Sequence, residues 1–184
     1  MRYKIHPFTP SKTINWASGT STELFIHPSD GNFQTRQFVF RISTATVEAD
    51  ETNFSDFTGL TRILMVLRGK LTLIHEGRYE KVLEPYQQDT FDGGWKTKSK
   101  GRVQDFNVMC NSTCEARVTH KPCRHGDMIQ PEASGKWLFL FIHDGTFACE
   151  DQRLKSGDLI EYISSDRPSL SCIEDGNCIE ISVY

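Results

Sequence analysis

Two arginines lie within apolar segments of the sequence, where a charged side chain needs a partner. Arg41 interrupts the apolar residues 38–42, and Arg62 opens the apolar run at residues 63–67. Because a guanidinium is a planar fork that holds a carboxylate with two hydrogen bonds, both arginines are candidates for binding a carboxylated small molecule. Internal ion pairing is the alternative, and the general behaviour of buried charges favours it. The candidate partners are Glu23, Asp56 and Asp105.

Other polar side chains could share a site with these arginines. Asp105 and Asn107 are two residues apart, so they share one face of a predicted strand, where they line a cavity or hold turns. Residues 16–23 carry several hydroxyl groups after Trp16, a composition typical of Ser/Thr turns. If Asp105 or Glu23 acts as general base beside an arginine, the same pocket would suit an isomerase or hydrolase. A pocket that binds without turnover and a protein-binding surface are the other hypotheses; we favour the pocket and assign no catalytic residue.

The sequence carries no strong signal for a metal or another cofactor. Cysteine and histidine form a C-x3-C-x8-C-x-H run at Cys110, Cys114, Cys123 and His125. These residue types suit zinc, but the tight C-x2-C pair of zinc sites is missing, so free cysteines are the favoured alternative. There is no H-x-H pair, no G-x-S-x-G sequence and no glycine-rich phosphate loop. We therefore expect neither a metal nor a cofactor.

Charge and hydropathy exclude several classes of partner. With 21 Lys+Arg against 24 Asp+Glu, the net charge of −3 leaves no positive excess for a phosphate backbone. The longest apolar run, residues 137–142, is far shorter than the ~20 residues that cross a bilayer. The first residues lack the apolar core of a signal peptide. We expect a cytoplasmic protein that binds neither nucleic acid nor membrane, and edge strands favour a homodimer.

The elements that must position these residues are predicted to be β-strands. Residues 38–47 alternate with period two, one face carrying Phe38, Phe40 and Ile42 and the other carrying Arg41, Ser43 and Ala45. Turn signals at residues 68–70 and 144–145 predict two hairpins. The hairpins would join residues 61–67 to 71–75 and residues 137–143 to 146–150.

The two predicted hairpin regions correspond in order, which indicates two copies of one β-unit. The turn at residues 154–159, Leu-Lys-Ser-Gly-Asp-Leu, resembles the L-x-P-G-D-x turn of cupins. The predicted fold class is therefore all-β, a bicupin with two jelly-roll, cupin-like β-barrels in one globule spanning residues 1–184. The approximate halves are residues 1–120, with the N-terminal strands, and residues 121–184. A single β-sandwich fits the strand spacing equally well.

Five blocks of the sequence resemble, in order, the signature blocks of the HutD/Ves family. These blocks are residues 16–23, 40–47, 54–62, 91–93 and 105–109. The resemblance is close over residues 10–110 and beyond them rests on length and strand pattern. It implies a bicupin without the cupin metal motif and no established catalysis. It also implies a small-molecule binder that governs histidine utilisation, with a carboxylate ligand similar to urocanate, formiminoglutamate or formylglutamate.

The resemblance also implies a set of ligand-binding residues, with Arg62 as the partner of the ligand's carboxylate. The positions that match the family's cavity lining are Trp16, Thr22, Arg41, Ser43, Arg62, Phe91, Gly93, Asp105 and Asn107. The sequence departs from the family pattern at residues 18–20, which are Ser-Gly-Thr where Asn-Gly-Gly is frequent. Thr58 replaces the usual proline before Gly59. The first departure bears on the ligand's identity, because Ser18 has fewer hydrogen-bonding groups than asparagine.

Overall fold

The computed structural model describes residues 1–132 and 135–184, and its regular structure consists of β-strands and one short 3-10 helix at Pro10–Lys12. In chain order the strands are β1 (Tyr3–His6), β2 (Thr13–Trp16), β3 (Gly19–His27), β4 (Phe40–Val47), β5 (Glu51–Asn53), β6 (Leu60–Gly69), β7 (Leu71–His75), β8 (Tyr79–Leu83), β9 (Gln88–Asp92), β10 (Thr97–Lys100), β11 (Val103–Asn111), β12 (Ala116–Cys123), β13 (Met128–Ile129), β14 (Trp137–Cys149), β15 (Gln152–Lys155), β16 (Leu159–Tyr162) and β17 (Leu170–Val183). The predicted all-β class is confirmed. No helix among the described residues is long and apolar enough to span a membrane.

The chain divides into two compact units. The N-terminal unit is Thr9–Glu115, and the C-terminal unit combines Met1–Phe8 with Ala116–Tyr184. In the N-terminal unit, a six-stranded sheet has the order β2-β3-β4-β11-β6-β9 and a four-stranded sheet has the order β5-β10-β7-β8. All of the pairings are antiparallel. A core of aliphatic side chains joins the two sheets, with Leu64 and Val66 on one side and Leu71 and Leu73 on the other.

The C-terminal unit has one seven-stranded antiparallel sheet. Its strand order is β1-β16-β14-β17-β12, with β13 also paired to β17 and β15 to β14. Alternate residues of β14, including Leu138, Leu140 and Ile142, are almost fully buried in one apolar cluster. Cys149, Cys172 and Cys178 belong to the same cluster, and all six cysteines of the chain are free thiols.

The predicted fold is confirmed in part, because the sheets of the described residues are not closed into barrels. In the N-terminal unit the six-stranded sheet ends at β2 and β9, and the four-stranded sheet ends at β5 and β8. These layers share a core as in a jelly roll, but their edge strands do not pair into a continuous ladder. The division into residues 1–120 and 121–184 stays a prediction.

Both predicted hairpins are also wrong, although both predicted turns contain a glycine with positive φ, Gly69 and Gly145. β6 pairs with β9 and β11, whereas β7 pairs with β8 and β10, so the chain changes sheet at Gly69 instead of turning back. At Gly145 the chain continues as one long strand, β14, with register irregularities against β17. Gly145 has φ +84, which a bulge within a strand requires as readily as a turn does.

Gly69→Ala is expected to destabilise the protein by about 2 kcal/mol. Gly69 has φ +88, and a Cβ there would lie 2.5 Å from the carbonyl oxygen of Arg102. Gly77→Ala is the matched control, because its φ is +72 but a Cβ would meet nothing within 4 Å. The control should lower the free energy of unfolding by about 1 kcal/mol, because it has only the backbone strain of a positive φ. Urea unfolding measures both, and equal losses would contradict the steric explanation.

Candidate functional site

The N-terminal unit contains a cavity of about 180 Å³ over one face of its six-stranded sheet. Successive strands contribute alternate residues to this face, as the period-two pattern requires. Arg41, Met109 and Arg62 form one row across β4, β11 and β6, and Ser43 and Asn107 belong to the next row. The lining residues are Ile14, Trp16, Ser21, Phe33, Arg41, Ser43, Ala45, Val47, Asn53, Phe54, Ser55, Phe57, Arg62, Asp105, Asn107 and Met109.

Arg62 is a buried cation whose hydrogen-bonding capacity is only partly used. Arg62 is 7% exposed, and its Nη2 donates a hydrogen bond to Oδ1 of Asn107 at 3.0 Å. Its Nε is buried and has no hydrogen-bond partner. The guanidinium carbon lies 4.7 Å from the ring centre of Phe54 and 5.4 Å from that of Phe57. Burial lowers the pKa of Arg62 to about 10, although the charge of Asp105 opposes the shift.

Arg41, in contrast, has its charge balanced inside the protein. Its Nε donates to Oε2 of Glu23 at 3.0 Å, and its Nη1 donates to Oγ of Ser43 at 2.9 Å. The guanidinium also lies 4.0 Å from the ring centre of Phe33. The internal ion pair predicted as an alternative is therefore confirmed for Arg41 and Glu23. Burial lowers the pKa of Arg41, and Glu23 counteracts part of that effect.

Asp105 completes a chain of polar contacts across the sheet. The side chain of Asn107 accepts from Arg62 and donates through Nδ2 to Oδ1 of Asp105, so the amide connects a cation to a carboxyl group. Asp105 is 3% exposed. Burial raises its pKa to about 7, because desolvation outweighs the charge of Arg62 and the hydrogen bond from Asn107. Near neutral pH this carboxyl group is therefore divided between its two protonation states.

The cavity brings together six of the nine residues predicted for ligand binding: Trp16, Arg41, Ser43, Arg62, Asp105 and Asn107. The other three support its walls. Thr22 shares a hydrogen bond of 2.7 Å with Thr13, and the Phe91 ring centre lies 5.4 Å from the Arg62 guanidinium. Gly93 accepts from the backbone N–H of Phe57 and has no room for a Cβ. That any of the nine binds a ligand stays a prediction.

Sequence reasoning missed three phenylalanines of the cavity wall. Phe33, Phe54 and Phe57 line the cavity, and all three lie in segments between strands. Phe54 and Phe57 lie in the block at residues 54–62 that resembles the HutD/Ves family, so a signal for them existed. Phe33 has no such signal, because it reaches the cavity from a loop that period-two alternation does not describe.

The cysteine–histidine run does not form a metal centre in the part of the chain that the structure describes. Cys110 and Cys114 belong to the N-terminal unit, whereas Cys123 and His125 belong to the C-terminal unit. Among the described residues, no group of three or more His, Cys, Asp or Glu side chains is arranged to hold a metal ion. Burial raises the pKa of the Cys110 thiol, which makes it a poor ligand and a poor nucleophile.

The fold of this chain is cupin-like. It is similar to a cupin 2 conserved barrel domain protein from Leptotrichia buccalis, with a TM-score of 0.57, 12% identity and coverage of 100% of this chain and 96% of that chain. It is also similar to a conserved protein of unknown function from Pseudomonas aeruginosa PAO1, with a TM-score of 0.79, 20% identity and coverage of 100% and 99%.

HutD from Pseudomonas fluorescens SBW25, solved in a formate condition, has a TM-score of 0.74 and 18% identity, with coverage of 98% and 97%. The HutD family model matches residues 10–179. The chain belongs to the HutD family, as the sequence blocks predicted. No curated protein matches it.

Proposed function

We propose that the N-terminal cavity binds a small carboxylic acid as its anion, held by Arg62. The observation that carries this proposal is that Arg62 lines a cavity and that its Nε is buried without a hydrogen-bond partner. A buried donor without an acceptor costs about 1–3 kcal/mol, more when it is charged, and a carboxylate would remove that cost. The carboxylate would also reduce the desolvation penalty of the guanidinium itself.

The cavity favours a ligand with one carboxylate and a small, uncharged body. About 180 Å³ corresponds to roughly six waters of liquid volume, so the ligand has few heavy atoms. Arg41 is already paired with Glu23, which leaves Arg62 as the cation with spare capacity in this lining. The rings of Phe54 and Phe57 offer flat apolar contacts for the rest of the ligand.

Membership of the HutD family supports a role for this pocket in histidine utilisation. We therefore extend the proposal to a carboxylated intermediate of histidine degradation whose binding governs the pathway, similar to urocanate, formiminoglutamate or formylglutamate. Of these, urocanate fits the cavity best, because it carries one carboxylate and the other two acids carry two, whereas Arg62 is the lining cation with spare capacity. In the same proposal the two units form a bicupin in which the N-terminal unit holds the ligand. The described lining of the cavity includes neither cysteine nor histidine, which supports binding through Arg62 instead of through a metal.

A thermal-shift series tests this function. Formate, acetate, urocanate, formiminoglutamate and formylglutamate are compared with acetamide, which has nearly the shape of acetate but no charge. A ligand that binds only the folded state adds about 2.7 kcal/mol at about 100 times its Kd. At least one acid should raise the melting temperature while acetamide does not. A shift with acetamide equal to that with acetate, or no shift with any acid, would contradict the proposal.

A second candidate function, an isomerase or hydrolase acting on a small acid, is favoured by one observation. The pKa of Asp105 is about 7, which is suitable for a general base at neutral pH, and Asp105 lies in the same cavity as Arg62. The test is product formation from each acid of the series, followed by nuclear magnetic resonance. Turnover that Asp105→Asn abolishes while the acid still binds would establish an enzyme, and unchanged acids would exclude one for this series.

A further inference from the structure

A second acidic group lies in the cavity that is proposed to take an anion. Asp105 and Arg62 both line it, and Asn107 connects them by one hydrogen bond to each. An incoming carboxylate at Arg62 would place a second negative charge near Asp105 within a buried site. Because like charges in a low-dielectric site cannot both ionise without a large cost, the two acidic groups are coupled.

The charged groups that face Asp105 are few. From β6 comes Arg62, whose charge favours the ionised form of Asp105. From β4 comes Arg41, whose charge is balanced by Glu23 on β3. Asn107, on the same strand as Asp105, donates a hydrogen bond that also favours ionisation. The other described residues of the lining are uncharged. Occupation of Arg62 by an anion therefore removes the strongest influence that keeps Asp105 ionised.

We propose that binding of a small carboxylate at Arg62 is accompanied by uptake of a proton at Asp105. The pocket would thus bind the two components of a carboxylic acid at separate groups. The carboxylate anion would bind Arg62, and a proton would bind Asp105. The proposal rests on the proposed function. The bound state then has a cation, an anion and a neutral carboxylic acid, with Asn107 still able to donate to the acid's carbonyl oxygen.

The direction of the pH dependence follows from the pKa of Asp105 before the ligand binds. The pKa of Asp105 there is about 7, so below that pH Asp105 already holds its proton and the anion binds without proton uptake. Above it, each binding event must protonate Asp105, so affinity falls as pH rises. If the bound anion raises this pKa by about 1.5, affinity falls roughly 15-fold between about pH 6 and about pH 8.5. Near pH 7.5, roughly two-thirds of a proton is taken up per ligand.

Formate is the probe, because its carboxylate stays charged over this whole range and it has no second titrating group. Calorimetry at about pH 7.5 in two buffers of different ionisation enthalpy measures proton uptake, and titrations from about pH 6 to about pH 8.5 measure affinity. Asp105→Asn should show no proton uptake and a pH-independent Kd, whatever the value of that Kd. Asp50→Asn removes a carboxylate of the same unit whose side chain is 81% exposed, and it should take up protons as the wild type does.

The outcomes separate this inference from the proposed function. Formate that binds through Arg62 with equal affinity at both ends of the pH range, and with no proton uptake, would overturn the coupling and leave the binding function intact. Proton uptake that persists in Asp105→Asn would assign the proton to another group and also overturn the inference. Absence of formate binding at every pH would overturn it too, while the remaining acids of the thermal-shift series would still test the function itself.

Discussion

Arg62→Met is expected to weaken acetate binding by at least about 30-fold. Removal of one member of a buried, hydrogen-bonded charge pair costs about 2–5 kcal/mol in comparable complexes. The methionine side chain would pack among the rings of Phe54, Phe57 and Phe91, which already surround the guanidinium. Because the substitution removes a desolvated cation from an apolar environment, we do not expect the variant to unfold. Calorimetry gives the Kd, and urea unfolding confirms the folded state.

Two further variants test whether the loss of acetate binding in Arg62→Met comes from the guanidinium of Arg62. Arg62→Lys keeps the charge but removes the planar fork and Nε, so it should bind acetate with intermediate affinity. Arg102→Met removes an exposed arginine of the same unit, one that pairs with Asp50, and should bind as the wild type does. If Arg62→Met binds acetate within about threefold of the wild type, then Arg62 does not hold the carboxylate.

Asp89→Ala is expected to lower the free energy of unfolding by about 3 kcal/mol. The side chain of Asp89 is buried and accepts three hydrogen bonds. Its Oδ1 accepts from Lys81 at 2.8 Å, and its Oδ2 lies 3.0 Å from the hydroxyl of Tyr79 and 3.1 Å from Nε2 of His75. The ring of His75 is almost fully buried, and its Nδ1 lies 2.8 Å from Oγ1 of Thr97. In Asp89→Ala, Nε2 of His75 would therefore lose its hydrogen-bond partner inside the protein, away from solvent.

The loss at Asp89 should depend on pH in one direction. Burial acts to raise the pKa of Asp89, but the hydrogen bonds from Lys81, His75 and Tyr79 outweigh it and lower the pKa. A carboxyl group whose pKa is lower in the folded state stabilises the fold above its unfolded pKa, and this contribution disappears as pH falls through the folded value. The difference in stability between wild type and variant should therefore shrink below about pH 4.

The control for Asp89 is a carboxylate whose ion pair is exposed. Asp50→Ala breaks the pair with Arg102, both of whose side chains are mostly in solvent, and should cost less than about 1 kcal/mol. Urea unfolding at neutral and acidic pH measures both variants. A loss at Asp89 no larger than that at Asp50, or one that grows toward acid, would refute the assignment of a stabilising network to this carboxylate.

Period-two alternation correctly predicted which residues share a face of a strand, but the sequence did not predict which strands pair with each other. Alternation placed Arg41 with Ser43 and Asp105 with Asn107 on shared faces, and the sheet register brings those faces to one cavity. Gly69 and Gly145 were identified as positions of special backbone, but a positive φ does not specify which strand the next segment meets. The neighbour of a strand depends on contacts far away in the sequence, and local patterns in a single sequence do not contain that information.

The aromatic wall shows the same limit at the level of a single side chain. Phe33 contacts Arg41 because a loop carries it over the sheet, and no local pattern marks that loop as part of a cavity. The spare hydrogen-bonding capacity of Arg62 could not be worked out from residue types and spacing, and only the family resemblance favoured Arg62 as the partner of a ligand. Whether a buried guanidinium is paired depends on distances of a few ångströms, and here an amide, Asn107, occupies the position that a carboxylate was expected to take.

The C-terminal unit is assembled from the two ends of the chain, and this has a consequence for folding. β1 pairs with β16 in the register Tyr3 with Tyr162 and His6 with Leu159, so the whole N-terminal unit lies between the two strands in sequence. Contacts of such high contact order form late, after the loop between them has been closed. During synthesis, β1 can pair with β16 only after residues 159–162 have been made. A fragment of residues 116–184 alone would present β16 as a bare edge that invites strand exchange with another copy.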